Sequence, residues 1–99
     1  MNGKELAEKV IAEYGTTDAF ELAQKAGCKV VYARWQPITL GEYHRKTQTI
    51  YLNDNTEGAL KRVLAHELGH FFCDKYAGML PKKVAENIAE TFEEALFES

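Results

Sequence analysis

The chain has 99 residues, of which 45% are hydrophobic and 11% aromatic, a composition that supports one hydrophobic core but no second lobe. Its net charge is −3 and its basic residues are scattered, which argues against direct nucleic-acid binding and favours proteins or peptides as partners. No apolar run is long enough to span a membrane, and the amino terminus leads into a charged helix, so we expect a cytoplasmic protein with a single domain over residues 1–99.

The first third of the chain predicts two helices and a strand. Apolar residues recur with helical spacing from Lys4 to Tyr14, and Gly15 then ends the segment as a carboxy-terminal cap. The pair Thr17-Asp18 offers N-cap oxygens to a second helix, which Gly27 terminates. The β-prone run 28–33 follows, and this predicts that the second helix leads directly into the first strand.

The middle of the chain predicts a loop followed by a hairpin. Pro37 and Gly41 bracket the loop. Segments 42–45 and 47–52 have the composition of two short strands joined by a tight turn, and the polar run 53–55 closes them. We therefore expect these two strands to pair in an antiparallel hairpin.

Two longer helices complete the predicted order. Thr56 is expected to start a helix that runs to about Tyr76, before Gly78 breaks it, and Pro81 opens a final helix that continues almost to Ser99. The resulting order α-α-β-β-β-α-α predicts an α+β fold with a small three-stranded sheet, antiparallel or mixed, packed on the third helix. Two cysteines, Cys28 and Cys73, match no zinc or redox spacing and are expected to be buried thiols.

The third predicted helix carries the residues His66-Glu67-Leu68-Gly69-His70, an H-E-x-x-H motif. Residues four apart lie on one face of a helix, about 5–6 Å from each other, so two imidazoles at this spacing can bind one metal ion. The flanking apolar residues repeat at intervals of three and four, as in an amphipathic core helix; they are Ala59, Leu60, Val63, Leu64, Leu68, Phe71 and Phe72. The motif predicts a zinc hydrolase.

A catalytic zinc usually takes three protein ligands, so His66 and His70 need one more donor. The last helix offers four carboxylates, Glu86, Glu90, Glu93 and Glu94. A helical wheel puts the apolar arc of this helix on Val84, Ala85, Ile88, Ala89, Phe92, Ala95 and Leu96. Glu86 and Glu93 border that arc most closely, and the wheel does not separate them.

The expected chemistry assigns a separate task to Glu67. Zinc lowers the pKa of a bound water towards about 7, and Glu67 is placed to take its proton as the general base and later to pass it to the leaving amine. Tyr43, His44 and Tyr51 are unranked candidates for the donor that stabilises the negative oxygen. A lone histidine on a strand is more often a surface residue, so His44 is left out of the metal site. An extended peptide can add to the exposed edge of the hairpin as another strand. The alternative is that charged residues such as Arg45 protect this edge from pairing.

With these motifs in place, the chain resembles the ImmA/IrrE family of small zinc metallopeptidases. The resemblance covers the second helix, segment 20–27, the strand Ile50-Tyr51-Leu52-Asn53, and the motif core 64–70. Segment 86–92 also fits the family frame, a gluzincin-like pattern with a ligand glutamate and an acid or amide four residues later. By this resemblance Glu86 is the third ligand, and Glu90 replaces the usual Asn or Asp.

The resemblance implies a function as well as a site. It implies a minimal zinc-dependent endopeptidase that cuts a protein substrate, typically a helix-turn-helix transcriptional repressor, with Glu67 as catalytic base and one zinc ion on His66, His70 and Glu86. The alternative hypothesis is a non-catalytic module that keeps zinc for structure and sequesters a protein partner. The carboxylate beside the two histidines favours the enzyme, because a structural zinc site has no evident need for it.

Overall fold

Capping interactions set the bounds of the first helix. The computed structural model describes residues 1–34, 40–53 and 60–99. Helix α1 (Gly3–Tyr14) begins after Asn2, whose side chain accepts the backbone N–H of Glu5 at 2.8 Å, while the Glu5 carboxylate accepts the N–H of Asn2 at 3.1 Å. This reciprocal pair satisfies two backbone donors that the first turn leaves without helical partners. Gly15 ends the helix in the left-handed conformation, as predicted.

The second helix also begins and ends where the sequence predicts. Helix α2 (Ala19–Ala26) starts after Asp18, whose carboxylate accepts the backbone N–H of Glu21 at 3.0 Å. Of the two predicted cap residues, Asp18 therefore has this role. Gly27 ends the helix with φ 78°, and the chain enters the sheet two residues later.

The sheet has three strands, β1 (Lys29–Ala33), β2 (Gly41–His44) and β3 (Thr49–Asn53), in the order β1-β3-β2. Strand β1 pairs with β3 in parallel and β2 pairs with β3 antiparallel, so the predicted hairpin and small mixed sheet are confirmed. The first strand begins one residue later than predicted, because the backbone of Cys28 still bonds to the end of α2. Gly41 lies in β2 instead of closing the loop, while Pro37 and residues 54–55 lie outside the described part.

Two antiparallel helices carry the rest of the chain. Helix α3 (Leu60–Ala77) contains the H-E-x-x-H motif and ends at Gly78, and helix α4 (Lys82–Glu98) follows Pro81. The predicted start of the motif helix at Thr56 lies outside the described residues. In the part of the chain that the structure describes, neither of these helices nor any other is long and apolar enough to span a bilayer.

One core joins the sheet to all four helices, and α3 contacts β2 and β3 as predicted. Cys28 and Cys73 are buried and unbridged, in agreement with the prediction of two buried thiols. The fully buried large side chains include Leu6, Val10, Leu22, Ile50, Leu52, Leu64, Leu68, Phe72 and Phe92. The predicted apolar arc of α4 is wrong for Val84, which is 45% exposed because it lies in the first turn, ahead of the buried face that begins at Ile88.

Helices α3 and α4 approach each other closely at Gly69. A Cβ atom at this position would lie 2.7 Å from the Cα of Ala89 and 3.1 Å from its Cβ, well inside van der Waals contact. Gly69 lies directly before His70 in the H-E-x-x-H motif, so the turn of α3 that carries the motif is also a point of contact with α4. Because Glu86 lies about one turn before Ala89, this contact sets how near Glu86 comes to the two histidines.

Gly69→Ala is predicted to destabilise the protein by about 1–3 kcal/mol, because the added methyl group overpacks the contact with Ala89. Helix propensity alone predicts the opposite sign, a stabilisation of about 1 kcal/mol. Thermal and urea unfolding of the metal-free protein therefore distinguish the two effects. A variant as stable as the wild type or more so would show that the helices do not cross this closely.

Candidate metal centre

One face of α3 carries a row of polar residues at four-residue intervals: Arg62, His66, His70 and Asp74. The opposite face holds the buried residues Leu64, Leu68, Phe71 and Phe72. The two histidine rings have their centroids 5.3 Å apart, as expected for one helical turn. The apolar face fixes the helix in the core, and this turns the polar row towards α4.

Helix α4 brings Glu86 to both histidines. One carboxylate oxygen lies 2.7 Å from Nε2 of His70, and the other lies 3.5 Å from Nε2 of His66. The structure therefore brings together the three residues that the resemblance names as ligands. One ligand atom from each of the three lies within 4.8 Å of the other two.

The donor set fits a zinc ion. Tetrahedral zinc with bonds near 2.0–2.1 Å separates its ligand atoms by about 3.3 Å. The Glu86 contact with His66, at 3.5 Å, lies close to that value, and the contact with His70, at 2.7 Å, is about 0.6 Å shorter. Two imidazoles and one carboxylate are also the ligand types of catalytic zinc sites that keep a position open. The Glu86 side chain is 51% exposed, which leaves that position accessible to a substrate.

Glu67 lies beside the ligands on the side that faces β2. Burial raises the pKa of its carboxyl group to about 7; the nearby charges of Glu86 and Glu42 also raise it, while His66 and a hydrogen bond from the backbone of Tyr43 lower it. A carboxyl group with a pKa in this range can both accept and return a proton near neutral pH. Burial also lowers the pKa of His70, which favours the neutral form that a metal requires.

The backbone of β2 explains why Tyr43 can reach Glu67. The N–H of Asn53 donates to the carbonyl of Leu40, so alternation along the antiparallel pair turns the backbone groups of Gly41 and Tyr43 away from β3. Those groups face α3, and the Tyr43 N–H serves as the hydrogen-bond donor to Glu67. A Cβ on Gly41 would lie 2.8 Å from Val63, so glycine allows this close approach.

The other three carboxylates of α4 have different surroundings. Glu90 and Glu94 are exposed, as their position on the helical wheel indicates. Glu93 is only 17% exposed, and its Oε1 lies 3.2 Å from Nδ1 of His66, on the opposite side of the ring from Nε2 and Glu86. Glu86 and Glu93, the two glutamates closest to the predicted apolar arc, therefore both contact the motif. They approach different ring nitrogens of His66.

The three candidate oxyanion donors do not share one face of the sheet. Tyr43 faces the helices, where burial and the charge of Asp74 raise the pKa of its hydroxyl to about 12. His44 and Tyr51 lie on the other face, with their rings 4.7 Å apart, and His44 Nε2 lies 3.0 Å from a carboxylate oxygen of Glu42. Alternation along the strands thus separates His44 and Tyr51 from Glu67.

A groove runs between β2 and α3 past Glu67. On one side lies a cavity of about 520 Å³, lined by Leu40, Gly41, Arg62, Val63, His66, Glu67 and Glu93. On the other side, Tyr43, Arg45, Glu67 and His70 line a cavity of about 270 Å³. A third cavity of about 410 Å³ shares Tyr43 and Arg45 with the second and extends the groove. His66 lines the first of these cavities and His70 the second, so both histidines border the groove beside β2.

Two ion pairs that the sequence analysis did not identify flank the histidines. Arg45 donates to both carboxylate oxygens of Asp74, through Nε and, at 2.9 Å, through a terminal nitrogen. Arg62 donates from Nε to Glu93 at 2.6 Å. The available signal was the spacing, because Arg62 and Asp74 continue the four-residue interval of the histidines in both directions.

Comparison with known proteins gives a family match that spans this part of the chain. The family model Peptidase_M78, described as the IrrE N-terminal-like domain, matches residues 23–98, which is most of the chain and includes the whole motif and both contacting glutamates. No curated protein and no solved structure matches the chain significantly. The match extends from α2 through α4, so it covers the complete sheet as well as the helices that carry the ligands.

Glu86→Ala is predicted to abolish stoichiometric metal binding, since it removes the only one of the three ligands that α4 supplies. The matched control is Glu90→Ala, which removes the same charge from an exposed position of the same helix. Elemental mass spectrometry after a mild chelator wash should find one zinc per chain in wild type and in Glu90→Ala, and none in Glu86→Ala. Full retention in Glu86→Ala would place the third ligand elsewhere.

Proposed function

The chain belongs to the IrrE N-terminal-like family of peptidases, and on this basis we propose that it is a zinc-dependent endopeptidase. His66, His70 and Glu86 are the metal ligands and Glu67 is the general base. The observation that supports this most strongly is the position of Glu67: it lies next to the ligand cluster, opens into the groove on both sides, and receives a backbone hydrogen bond from β2.

The residues of the chain account for the proton transfers of peptide hydrolysis. Zinc bound to the three ligands would polarise the scissile carbonyl and make a water more acidic. Glu67 accepts the proton of the water that attacks the carbonyl carbon, and then donates it to the departing amine nitrogen as the C–N bond breaks. The surroundings of Glu67 suit both steps, because burial keeps its proton affinity high and Tyr43 orients the carboxylate.

The groove suits an extended peptide. Among the described strands, β2 has a neighbour on one side only, and the backbone groups of Gly41 and the carbonyl of Tyr43 point away from β3, while the Tyr43 N–H donates to Glu67. An extended peptide could pair with these outward groups of Gly41 and Tyr43. A peptide added there runs along the groove and passes the metal ligands. Leu40 and Val63 give the larger cavity an apolar wall beside Glu67, which suits an apolar side chain next to the cleaved bond.

We further propose a protein substrate in the cytoplasm, with helix-turn-helix transcriptional repressors as the first class to examine. Support for this class is the resemblance to ImmA/IrrE proteins described above. A peptide added to β2 would be bound mainly through its backbone. Substrate choice would therefore depend on which segment of a repressor can become extended and reach the groove. The two unbridged cysteines agree with a reducing compartment.

Glu67→Gln is predicted to lower peptide cleavage by at least about a hundredfold while leaving zinc content unchanged, because the amide cannot accept the proton. The probe is a library of peptides from a digested proteome, incubated with zinc-loaded protein and analysed by mass spectrometry for new termini. Purified helix-turn-helix repressors are then tested in the same way. Glu90→Gln is the control, since Glu90 is an exposed carboxylate of α4 that has no assigned role in proton transfer.

Two outcomes would contradict the peptidase proposal. Cleavage that survives Glu67→Gln would remove Glu67 from the reaction. Absence of new termini with the zinc-loaded wild type, together with a stable complex between the protein and an intact repressor, would favour the alternative of a zinc-stabilised module that sequesters its partner. In that case Glu67→Gln would leave the complex unaffected.

A further inference from the structure

His66 is contacted at both ring nitrogens by α4. Glu86 and Glu93 are seven residues apart, which is about two helical turns, so they lie on the same face of α4 with their Cα atoms about 10 Å apart along the axis. Glu86 approaches Nε2 of His66 at 3.5 Å, and Glu93 approaches Nδ1 at 3.2 Å. The ring therefore has a metal side and a carboxylate side.

The second oxygen of Glu93 is also occupied. Arg62 donates its Nε–H to Oε2 at 2.6 Å, which leaves Oε1 for His66. Arg62 itself is held over the ring of Phe97, with its guanidinium carbon 4.9 Å from the ring centroid. Arg62 thus fixes the position of the Glu93 carboxylate.

A neutral imidazole carries its proton on one nitrogen only. Binding a metal through Nε2 requires the proton on Nδ1, and a carboxylate that accepts the Nδ1–H stabilises that tautomer, fixes the ring and strengthens the ligand. The family frame places an acid or amide four residues after the ligand glutamate, which is Glu90 here, but Glu90 is exposed. Glu93 is the carboxylate that contacts the ring.

We propose that Glu93, held by Arg62, is the positioning residue of the metal site: it accepts the Nδ1–H of His66 and so directs Nε2 to the metal. In this proposal Glu93 does not bind the metal itself, and it is not simply a solvated charge on the surface of α4. The inference rests on the proposed function in assuming that His66, His70 and Glu86 bind the metal. Glu93 lies three residues after the exposed Glu90, close to one helical turn further along α4.

The test measures zinc dissociation constants by chelator competition at fixed pH, alongside unfolding midpoints without metal. Glu93→Ala is expected to weaken zinc binding by about 10–100-fold. Glu93→Gln is expected to weaken it less, because the amide oxygen still accepts a hydrogen bond. Glu90→Ala, with the same loss of charge on the same helix, should stay within about twofold of wild type. If Glu93→Ala fails to fold, Glu93→Gln and its comparison with Glu90→Gln provide the test.

A double-mutant cycle tests the route through Glu93. Arg62→Met keeps an apolar stem and removes the guanidinium, and it should weaken zinc binding severalfold in wild type but not in the Glu93→Ala background. Long-range nitrogen–proton NMR of the zinc-loaded wild type should show the proton of His66 on Nδ1. His70 is the internal reference, since the described contacts of Glu93 are with His66 and Arg62.

Three results would overturn the inference. An unchanged zinc affinity in Glu93→Ala, with a lowered unfolding midpoint, would show that the Arg62–Glu93 pair only joins the two helices. A loss as complete as that of Glu86→Ala would make Glu93 a ligand. An effect of Arg62→Met that persists without Glu93 would exclude the proposed route. In each case a wild type that binds zinc leaves the peptidase proposal intact, whereas a wild type without zinc affinity defeats both.

Discussion

The close crossing of α3 and α4 at Gly69 is the constraint on which the site depends. Neither helix carries all three candidate ligands, because α3 supplies the two imidazoles and α4 supplies the carboxylate. The absence of a side chain at Gly69 lets the backbone of Ala89 approach the motif turn, and Glu86 and Glu93 then straddle His66 from either end of that contact. A wider separation would affect both ring contacts together.

Helix α3 packs into the core with one face and carries the candidate ligands on the other. Its apolar face packs against the core, which fixes rotation about the helix axis. Its polar face then points the histidines towards α4, while Glu67, one residue round the helix from His66, faces β2. Burial of Glu67 has a direct electrostatic consequence, because it raises the pKa of the carboxyl group that we propose as the general base. The packing of α3 in the core thus also determines the proton affinity of Glu67.

Much of this arrangement could be predicted from local sequence signals. Asp18, Gly15 and Gly27 act within one or two turns of their helix ends, so their capping roles are readable without tertiary information. The motif itself was equally local. The size of the sheet could be predicted from the sequence, but its strand order could not. The hairpin signal near Gly41 indicates the antiparallel pair and does not show which side of that pair β1 joins.

The roles of the acidic residues depended on tertiary structure. Glu86 and Glu93 differ by about 20° on a helical wheel, so periodicity could not separate them; the offset of α4 along α3 does so. The same holds for Arg62 and Asp74, whose partners Glu93 and Arg45 come from distant parts of the chain. His44 and Tyr51 were separable from Tyr43 only once the pleat direction of β2 was known.

The proposed site holds one metal ion between two imidazoles from α3 and one carboxylate from α4. X-ray absorption at the zinc edge of the purified, zinc-loaded protein reports these ligands. We expect two imidazole nitrogens and two oxygens, one of them from solvent, at about 2.0–2.2 Å, with no sulfur. A sulfur at about 2.3 Å would bring a cysteine into the site, and a single imidazole would show that His66 and His70 do not bind the same ion; either result would rule out the proposed ligand set.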